Sequence, residues 1–183
     1  MKNKIIIGLF ACVCVFQLAV PLSMITQRES VLKHGREIKF KTAPVDPFDA
    51  FRGRYVALGI EGSSVALPKG MVLRNGQTVF AHFVFDENGF AKFSTITACR
   101  PEGNSYIKAK SRYQSNNMVF LELPFERYYM EESSAPHAEE LYRKHNQRAK
   151  QDAYITVKVK DGIAVISGLY VGGKKIEEAI KKK

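Results

Sequence analysis

The chain has 183 residues, of which 45% are hydrophobic, and a formal net charge of +10. This length allows one domain of ordinary size with a core of its own. A basic surface suits a nucleic acid or an anionic membrane. However, the lysines are dispersed and no stripe of basic and aromatic residues is visible, so no nucleic acid partner is predicted.

The first 25 residues predict a membrane anchor. Ile5 to Ile25 contains no charge, and about 20 apolar residues suffice to cross a bilayer as a helix. The alternatives are a cleaved signal peptide, for which the run is long, and a lipid on Cys12, for which the apolar stretch before that residue is short. Lys2 and Lys4 favour an N-terminus in the cytoplasm, although Arg28 just past the span weakens the asymmetry. The interpretation is a single-pass protein of the cytoplasmic (inner) membrane with an extracytoplasmic body.

The cysteines predict neither a disulfide nor a zinc site. Cys12 and Cys14 lie in the apolar run, which leaves Cys99 alone in the body. A single thiol cannot form an internal disulfide, and the spacing of zinc ligands is absent. Cys99 is predicted to be a small buried residue, and no metal or cofactor is predicted.

After a linker or helical continuation at residues 26–35, the body begins with a strand. Arg36 to Thr42 alternates, with Ile38 and Phe40 facing inward. Asp46 is then a candidate helix cap with Pro47 at the first helical position, and Gly53 is a candidate end of that turn. The next run, Tyr55 to Ile60, reads as a strand with Val56, Leu58 and Ile60 on one face.

Further strands follow at short intervals, separated by turn signals. Asn75-Gly76, Asn88-Gly89 and Asp161-Gly162 are predicted to form type I′ hairpin turns, because Asn, Asp and Gly adopt positive φ at low cost. Ser134 and Pro136 predict the start of one helix in the body. The expected strands are Thr78 to Phe85, Phe90 to Thr97, Ser105 to Lys110, Met118 to Leu123, Tyr154 to Lys160 and Ile163 to Val171. The predicted fold class is α+β, mainly antiparallel β in a sheet or partly closed barrel of about 8–9 strands, with one body helix and one N-terminal transmembrane helix.

Several blocks of this sequence resemble a known family. Asp46-Pro47, Asp49 and Phe51-Arg52-Gly53-Arg54-Tyr55-Val56-Ala57-Leu58 resemble the signature of the GDYXXLXY family. The stretch from Leu123 to Tyr129 is similar to the second block of that family, and Ala164 to Gly173 is similar to its closing strand. The resemblance covers most of residues 36–175, so we expect a β-rich extracytoplasmic domain there and a basic tail at residues 176–183.

The resemblance implies a bacterial membrane-anchored protein but no activity, because the family has no established one. Members are often found beside polytopic membrane proteins of unknown role, which implies a polytopic membrane partner by association. The chain also departs from the signature, since Arg54 stands at the position of its acid and Ile60 at that of its final aromatic residue. A catalytic or metal-binding acid at position 54 would therefore be lost.

The candidate site residues have competing interpretations. Asp46 and Asp49 could be paired acids or cation ligands, but helix capping explains both. Arg52, Arg54, Arg127, Tyr128 and Tyr129 could form a recognition surface if the two blocks meet, since Arg and Tyr are enriched at interfaces. The alternative is a structural clamp between Arg127 and Asp46 or Asp49. The motif residues as a set are Asp46, Asp49, Arg52, Gly53, Arg54, Tyr55, Leu58, Arg127, Tyr128 and Tyr129.

No catalytic residue is predicted, because no nucleophile has a visible base. His82, His137 and His145 lack partners, and Ser63-Ser64 near Lys69 lacks a further motif. The leading hypothesis is a non-enzymatic module that binds a membrane protein partner. The alternative is an envelope enzyme or small-ligand binder with a site near Asp46, Asp49, Arg52 and Arg127. A third hypothesis is a basic surface that binds anionic lipid head groups.

Overall fold

The computed structural model describes residues 2–44, 55–147 and 150–181. Three helices lie in these ranges: α1 Lys2–His34, α2 Ala135–His145 and α3 Ile176–Ile180. The strands are β1 Arg36–Ala43, β2 Tyr55–Ala57, β3 Gly59–Ile60, β4 Ser64–Ala66, β5 Thr78–Phe85, β6 Ala91–Thr97, β7 Tyr106–Ser115, β8 Met118–Glu122, β9 Arg127–Tyr129, β10 Asn146–Gln147, β11 Lys150–Gln151, β12 Tyr154–Lys160, β13 Ile163–Val171 and β14 Lys174–Lys175.

Two five-stranded sheets form the body. One has the order β14-β13-β12-β1-β3 and the other β4-β8-β7-β5-β6, and the pairs within them are antiparallel. The edge strands β4 and β6 of the second sheet lie next to each other, so this sheet curls into a nearly closed barrel. The predicted α+β class with mainly antiparallel strands and a partly closed barrel is therefore confirmed. The described residues contain more strands than predicted, because seven of the fourteen are two- or three-residue pieces.

Phe40 of β1 lies at the centre of the core between the sheets. Its ring stacks on Phe93 at 5.3 Å and lies 5.4 Å from Phe125, with Phe83 at its edge at 6.2 Å. Phe40 has no exposed surface. The alternation of β1 that predicted Ile38 and Phe40 inside is confirmed, and β1 brings the first sheet against residues of β5 and β6 in the second.

The N-terminal helix is the one helix in the described residues that is long and apolar enough to cross a membrane. It continues without a break through the region predicted as linker or helical continuation and ends at His34. Its last turns pack on β12 and β13, where Val31 is buried and the Lys160 ammonium donates to the Ser30 hydroxyl at 3.2 Å. Gly35 alone separates α1 from β1, and a Cβ there would lie 2.4 Å from the Val31 carbonyl oxygen. The helix and the first sheet therefore form one continuous unit.

Some turns differ from their predictions. Asp161-Gly162 has positive φ at both residues, 54° and 78°, as a type I′ turn requires. In contrast, the β5–β6 connection has positive φ at Gly89 but not at Asn88. The Asp86 carboxylate accepts from the amides of Asn88 and Phe90 and holds this longer loop. The prediction of a β5–β6 hairpin is therefore confirmed, but the prediction of a two-residue type I′ turn at Asn88-Gly89 was wrong. Gly76 lies in a turn, but this turn precedes β5 without joining two paired strands.

Two further corrections concern Cys99 and the C-terminal tail. Cys99 is exposed, whereas the sequence analysis predicted a buried residue. Cys99 lies after the end of β6, beyond the last residue of that strand that faces the core. Its position in the chain therefore leaves it exposed, although its side chain is small and apolar. The sequence analysis did not predict α3, whose first residue, Ile176, is fully buried.

Candidate recognition site at the β2–β9 ribbon

The two aromatic and basic blocks meet through backbone pairing. β2 and β9 run antiparallel in a two-stranded ribbon, with Tyr55 opposite Tyr129, Val56 opposite Tyr128 and Ala57 opposite Arg127. A recognition surface was predicted on the condition that these two blocks meet, and the pairing fulfils this condition. Residues that are far apart in the chain thus share one local surface.

The block from Leu123 to Tyr129 is held by its own residues and by the core. Phe125 is 1% exposed and packs on Phe40. The Glu126 carboxylate accepts from the Leu123 amide at 3.1 Å and pairs with the Arg112 guanidinium. The Glu126 carbonyl accepts from the Leu58 amide at 2.9 Å. This turn therefore attaches the start of β9 to the core. Its hydrogen bond with Leu58 also fixes the register between β9 and the chain that follows β2.

One face of the ribbon carries an arginine and two tyrosines. The Arg127 guanidinium lies 5.1 Å from the centre of the Tyr55 ring, and the Tyr55 and Tyr129 rings are 5.7 Å apart at an angle of 60°. Alternation along β2 and β9 places these three side chains on the same side of the ribbon. Tyr129 is 66% exposed. The three side chains form a cationic and aromatic surface open to solvent, which we call the ribbon face.

Tyr128 and Val56 point to the opposite side. Val56 has no exposed surface, and the Tyr128 hydroxyl donates to the Glu177 carboxylate of α3. Burial, together with this bond to Glu177, raises the pKa of Tyr128 well above its ordinary value. Tyr128 therefore ties the ribbon to the C-terminal helix, while its neighbours in the strand remain outside.

The sequence-predicted site residues fall into two groups. Tyr55, Arg127 and Tyr129 come together on the ribbon face, Tyr128 lies beneath it, and Leu58 is buried in the core at 4% exposure. The remaining members lie outside the described residues, and so do the proposed capping turn, the paired acids and the clamp to Arg127. They are Asp46, Asp49, Arg52, Gly53 and Arg54.

A protein-family profile described as GDYXXLXY protein matches residues 17–169 of the chain. The chain belongs to this family. No curated protein and no solved structure matches it. The matched range begins inside α1 and includes both strands of the ribbon. The family profile therefore covers the C-terminal half of the apolar helix of this GDYXXLXY protein as well as the ribbon.

The histidines of this GDYXXLXY protein differ in their surroundings, and one of them, His137, lines a cavity together with Tyr129 of the ribbon face. His145 at the end of α2 is half-buried, with Nδ1 2.7 Å from an Asp152 carboxylate oxygen, and it packs against Gly172. The expectation that His145 lacks a partner was therefore wrong, because Asp152 is distant from it in the local helical pattern and reaches it only through the turn after α2. His82 Nε2 lies 3.3 Å from the Thr97 hydroxyl. Within the described ranges, no three His, Cys, Asp or Glu side chains are placed to hold a metal ion.

Three residues that build the site were not identified from the sequence. Arg112, Glu126 and Glu177 make the contacts that hold β9, and two of them come from strands or helices distant in the chain. Glu126 had a local signal, since a carboxylate three residues after Leu123 can accept its amide across the Pro124-Phe125 turn. The contacts of Arg112 and Glu177 depend on the tertiary fold and have no such signal.

Proposed function

We propose that this GDYXXLXY protein is a single-pass protein of the cytoplasmic (inner) membrane whose extracytoplasmic body binds a membrane protein partner and has no catalytic activity of its own. The anchor would be α1, with Lys2 and Lys4 on the cytoplasmic side. The absence of charge between Ile5 and Ile25 supports the span. The continuous passage of α1 into β1 supports retention of the helix as part of the folded protein.

The ribbon face is the observation that carries the proposed interaction. Arginine and tyrosine are enriched among residues that dominate binding energy at protein interfaces, because they bury a large area and retain a polar group. Arg127, Tyr55 and Tyr129 are already ordered against one another by ring and cation–π contacts. Such prior order lowers the entropy cost of binding. The ribbon face is therefore suited to contact a protein surface.

Site-specific photocrosslinking in the native membrane tests the partner. A photoreactive amino acid in place of Tyr129 should yield an adduct with a polytopic membrane protein. The matched control is the same amino acid in place of Val72, which is 88% exposed and lies outside the ribbon. Equal adducts at both positions, or only adducts between copies of this chain, would contradict the proposed partner.

The exposed thiol of Cys99 tests the location of the body. A membrane-impermeant maleimide added to intact spheroplasts should label the native chain, because Cys99 is exposed and would face the outside of the cytoplasmic membrane. The Cys99→Ser variant controls for labelling at Cys12 and Cys14 within α1. Labelling of Cys99 that requires permeabilised membranes would place the body in the cytoplasm and reject this orientation.

A further inference from the structure

A basic cleft lies between the C-terminal part of α1 and the body. Its volume is about 350 Å³, within the range of about 300–1,000 Å³ typical of small-molecule sites. Four segments line it: α1, β7, the chain from Pro124 to Tyr129, and the first half of β13. The cleft therefore lies where the unit of α1 and the first sheet meets the second sheet and the ribbon.

Three basic residues from three different segments line this cleft. They are Arg28 of α1, Lys108 of β7 and Arg127 of β9. None of the described residues that line the cleft is acidic. Asp161 lies two residues before the lining residue Ile163, but its carboxylate pairs with Arg100 at 3.3 Å. Arg127 has contacts of its own on the ribbon face, so Arg28 and Lys108 are the residues that give the cleft its positive character, and its ligand is expected to be an anion.

The position of Lys108 is fixed by the backbone around it. The Lys108 amide donates to the Gly162 carbonyl at 2.8 Å, which joins β7 to the β12–β13 turn. Tyr106 packs beneath Gly162, and Arg100 Nε donates to the Tyr106 hydroxyl at 2.8 Å. These contacts hold the base of the Lys108 side chain at the cleft, although the side chain itself is exposed.

The cleft is close to the end of the apolar span. Arg28 follows Ile25 by three residues, which corresponds to about 4.5 Å along a helix. If α1 crosses a bilayer as proposed above, Arg28 lies at the depth of the lipid head groups, which extend several ångströms beyond the hydrocarbon core. The other walls, including Ile163, Ile166 and Tyr129, supply apolar surface beside the cations. Anionic charge next to apolar chain is the chemistry of a phospholipid.

We propose that this cleft binds the head group of an anionic phospholipid from the outer leaflet of the membrane that holds α1. Guanidinium groups form paired hydrogen bonds with phosphate oxygens, and an ammonium adds a further charge-assisted bond. The apolar residues of β13 would contact the glycerol and the first carbons of an acyl chain. This inference rests on the anchoring part of the proposed function. The cleft shares Arg127 and Tyr129 with the ribbon face, so its test changes neither of these residues and does not depend on the protein partner.

The test uses the full chain in lipid nanodiscs. One set contains phosphatidylcholine alone, and the other contains phosphatidylcholine with a minor fraction of phosphatidylglycerol. Native mass spectrometry after release in mild detergent counts the lipids retained by the protein. We expect phosphatidylglycerol to be retained selectively and the retention to fall about fivefold on Lys108→Ala, since one basic residue near an anionic surface contributes about that factor.

Lys110→Ala is the matched control. Lys110 lies two residues further along the same face of β7, is also exposed and does not line the cleft. It should retain phosphatidylglycerol as the unmodified protein does, whereas Arg28→Ala should lose it to the same degree as Lys108→Ala. Inorganic phosphate added at high concentration should not displace the lipid, because phosphate lacks the apolar contact with β13.

The outcomes separate the two proposals. A chain that enters nanodiscs but retains the same amount of phosphatidylglycerol with Lys108→Ala as with Lys110→Ala overturns the lipid site and leaves the anchor in place. Displacement by inorganic phosphate identifies a soluble phosphate site and also overturns the lipid proposal. A chain that does not enter nanodiscs overturns both the lipid site and the anchor.

Discussion

The β2–β9 ribbon and the β12–β13 hairpin are both antiparallel pairs, but they are stabilised in different ways. The hairpin closes through the two-residue turn Asp161-Gly162 and continues over seven paired positions. The ribbon has three paired positions, and its strands come from distant parts of the chain. The hairpin can form from local sequence, whereas the ribbon depends on the elements beneath it. The candidate recognition surface thus lies on the pair that has less stability of its own.

The hairpin should be disrupted most strongly at its turn. Gly162→Ala places a Cβ 2.5 Å from Cε2 of the buried Tyr106 ring, at a residue whose φ is +78°. We expect a loss of about 3 kcal/mol in the free energy of unfolding, from the positive φ and the clash together. Urea unfolding of the detergent-solubilised full-length protein measures it.

Gly89→Ala separates these two causes. Gly89 has a similar φ of +75°, but a Cβ there meets no atom within 4 Å. This variant should lose only about 1 kcal/mol, the cost of the backbone conformation. Equal losses for the two variants would show that Tyr106 does not constrain the turn.

The support beneath the ribbon should weaken at alkaline pH. Tyr142 of α2 is 4% exposed and bounds a cavity of about 130 Å³ together with Ala57 of β2. Burial raises the pKa of Tyr142 from 10.0 to about 12. The phenol therefore ionises more readily in the unfolded chain than in the folded one. Its contribution to the free energy of unfolding is complete below pH about 10 and is lost as the pH rises further. Ionisation of Tyr142 should then lower the free energy of unfolding by about 1.4 kcal/mol per pH unit from there to pH about 12, and Tyr128, whose pKa is also raised, should add to this decline.

Tyr142→Phe should make this alkaline decline in the free energy of unfolding less steep, while the contribution of Tyr128 remains. It should also cost about 1 kcal/mol at neutral pH, because Asn146 Nδ2 loses the hydroxyl to which it donates at 3.0 Å. Tyr113→Phe, at an exposed tyrosine, serves as the control and should leave the decline as steep as in the unmodified protein. An unchanged slope in Tyr142→Phe would assign the decline to other groups.

A matched pair of valines compares the two regions directly. Val157 in β12 and Val56 in β2 both have no exposed surface. Val157 is opposite Ile38 of β1 on one side and Ile166 of β13 on the other, whereas Val56 is paired to β9. We expect Val157→Ala to cost about 2.5 kcal/mol and Val56→Ala about 1.5 kcal/mol, because a short ribbon can relax into the space left. A larger loss at Val56 would reverse the ranking.

A small effect is also expected at the link between the ribbon and α3. Tyr128→Phe removes the hydroxyl that donates to Glu177 and should cost about 1 kcal/mol. Amide hydrogen exchange should also become faster in α3, since the variant releases that helix from β9. Tyr129→Phe removes a hydroxyl from the exposed face and should leave the exchange of α3 unchanged.

The part of the fold that was predicted from the sequence is the part specified by local pattern. The alternation of Arg36 to Thr42, the Asp161-Gly162 turn and the place where α2 begins each depend on neighbouring residues, and the structure confirms them. Ser134 stands at the cap position of α2, but its side chain makes no capping hydrogen bond. The run from Tyr55 to Ile60 was predicted as one strand with the correct buried face. It divides because Val56 pairs with β9 while Gly59 and Ile60 pair with β1.

The candidate site was predictable in its residues more than in its geometry. The residue types of Arg127, Tyr128 and Tyr129 and their family resemblance indicated the second block from the sequence alone. The pairing of this block with β2 was not predicted. Their division between two sides of the ribbon follows from pairing with Tyr55 to Ala57, which no local pattern encodes. The contact of Tyr128 with Glu177 depends in turn on α3, which lies in the segment predicted as a charged tail.

The close packing at Gly35 has a consequence for how the protein would be oriented in a bilayer. With Val31 buried, Ser30 bonded to Lys160 and no space for a side chain at Gly35, the helix and the first sheet have little freedom to swivel. Rotation of α1 about its own axis would therefore turn the whole body by the same angle. The ribbon face would keep a fixed height above the bilayer and a fixed orientation relative to α1. A partner diffusing in the membrane plane would therefore contact it from one side of the helix only.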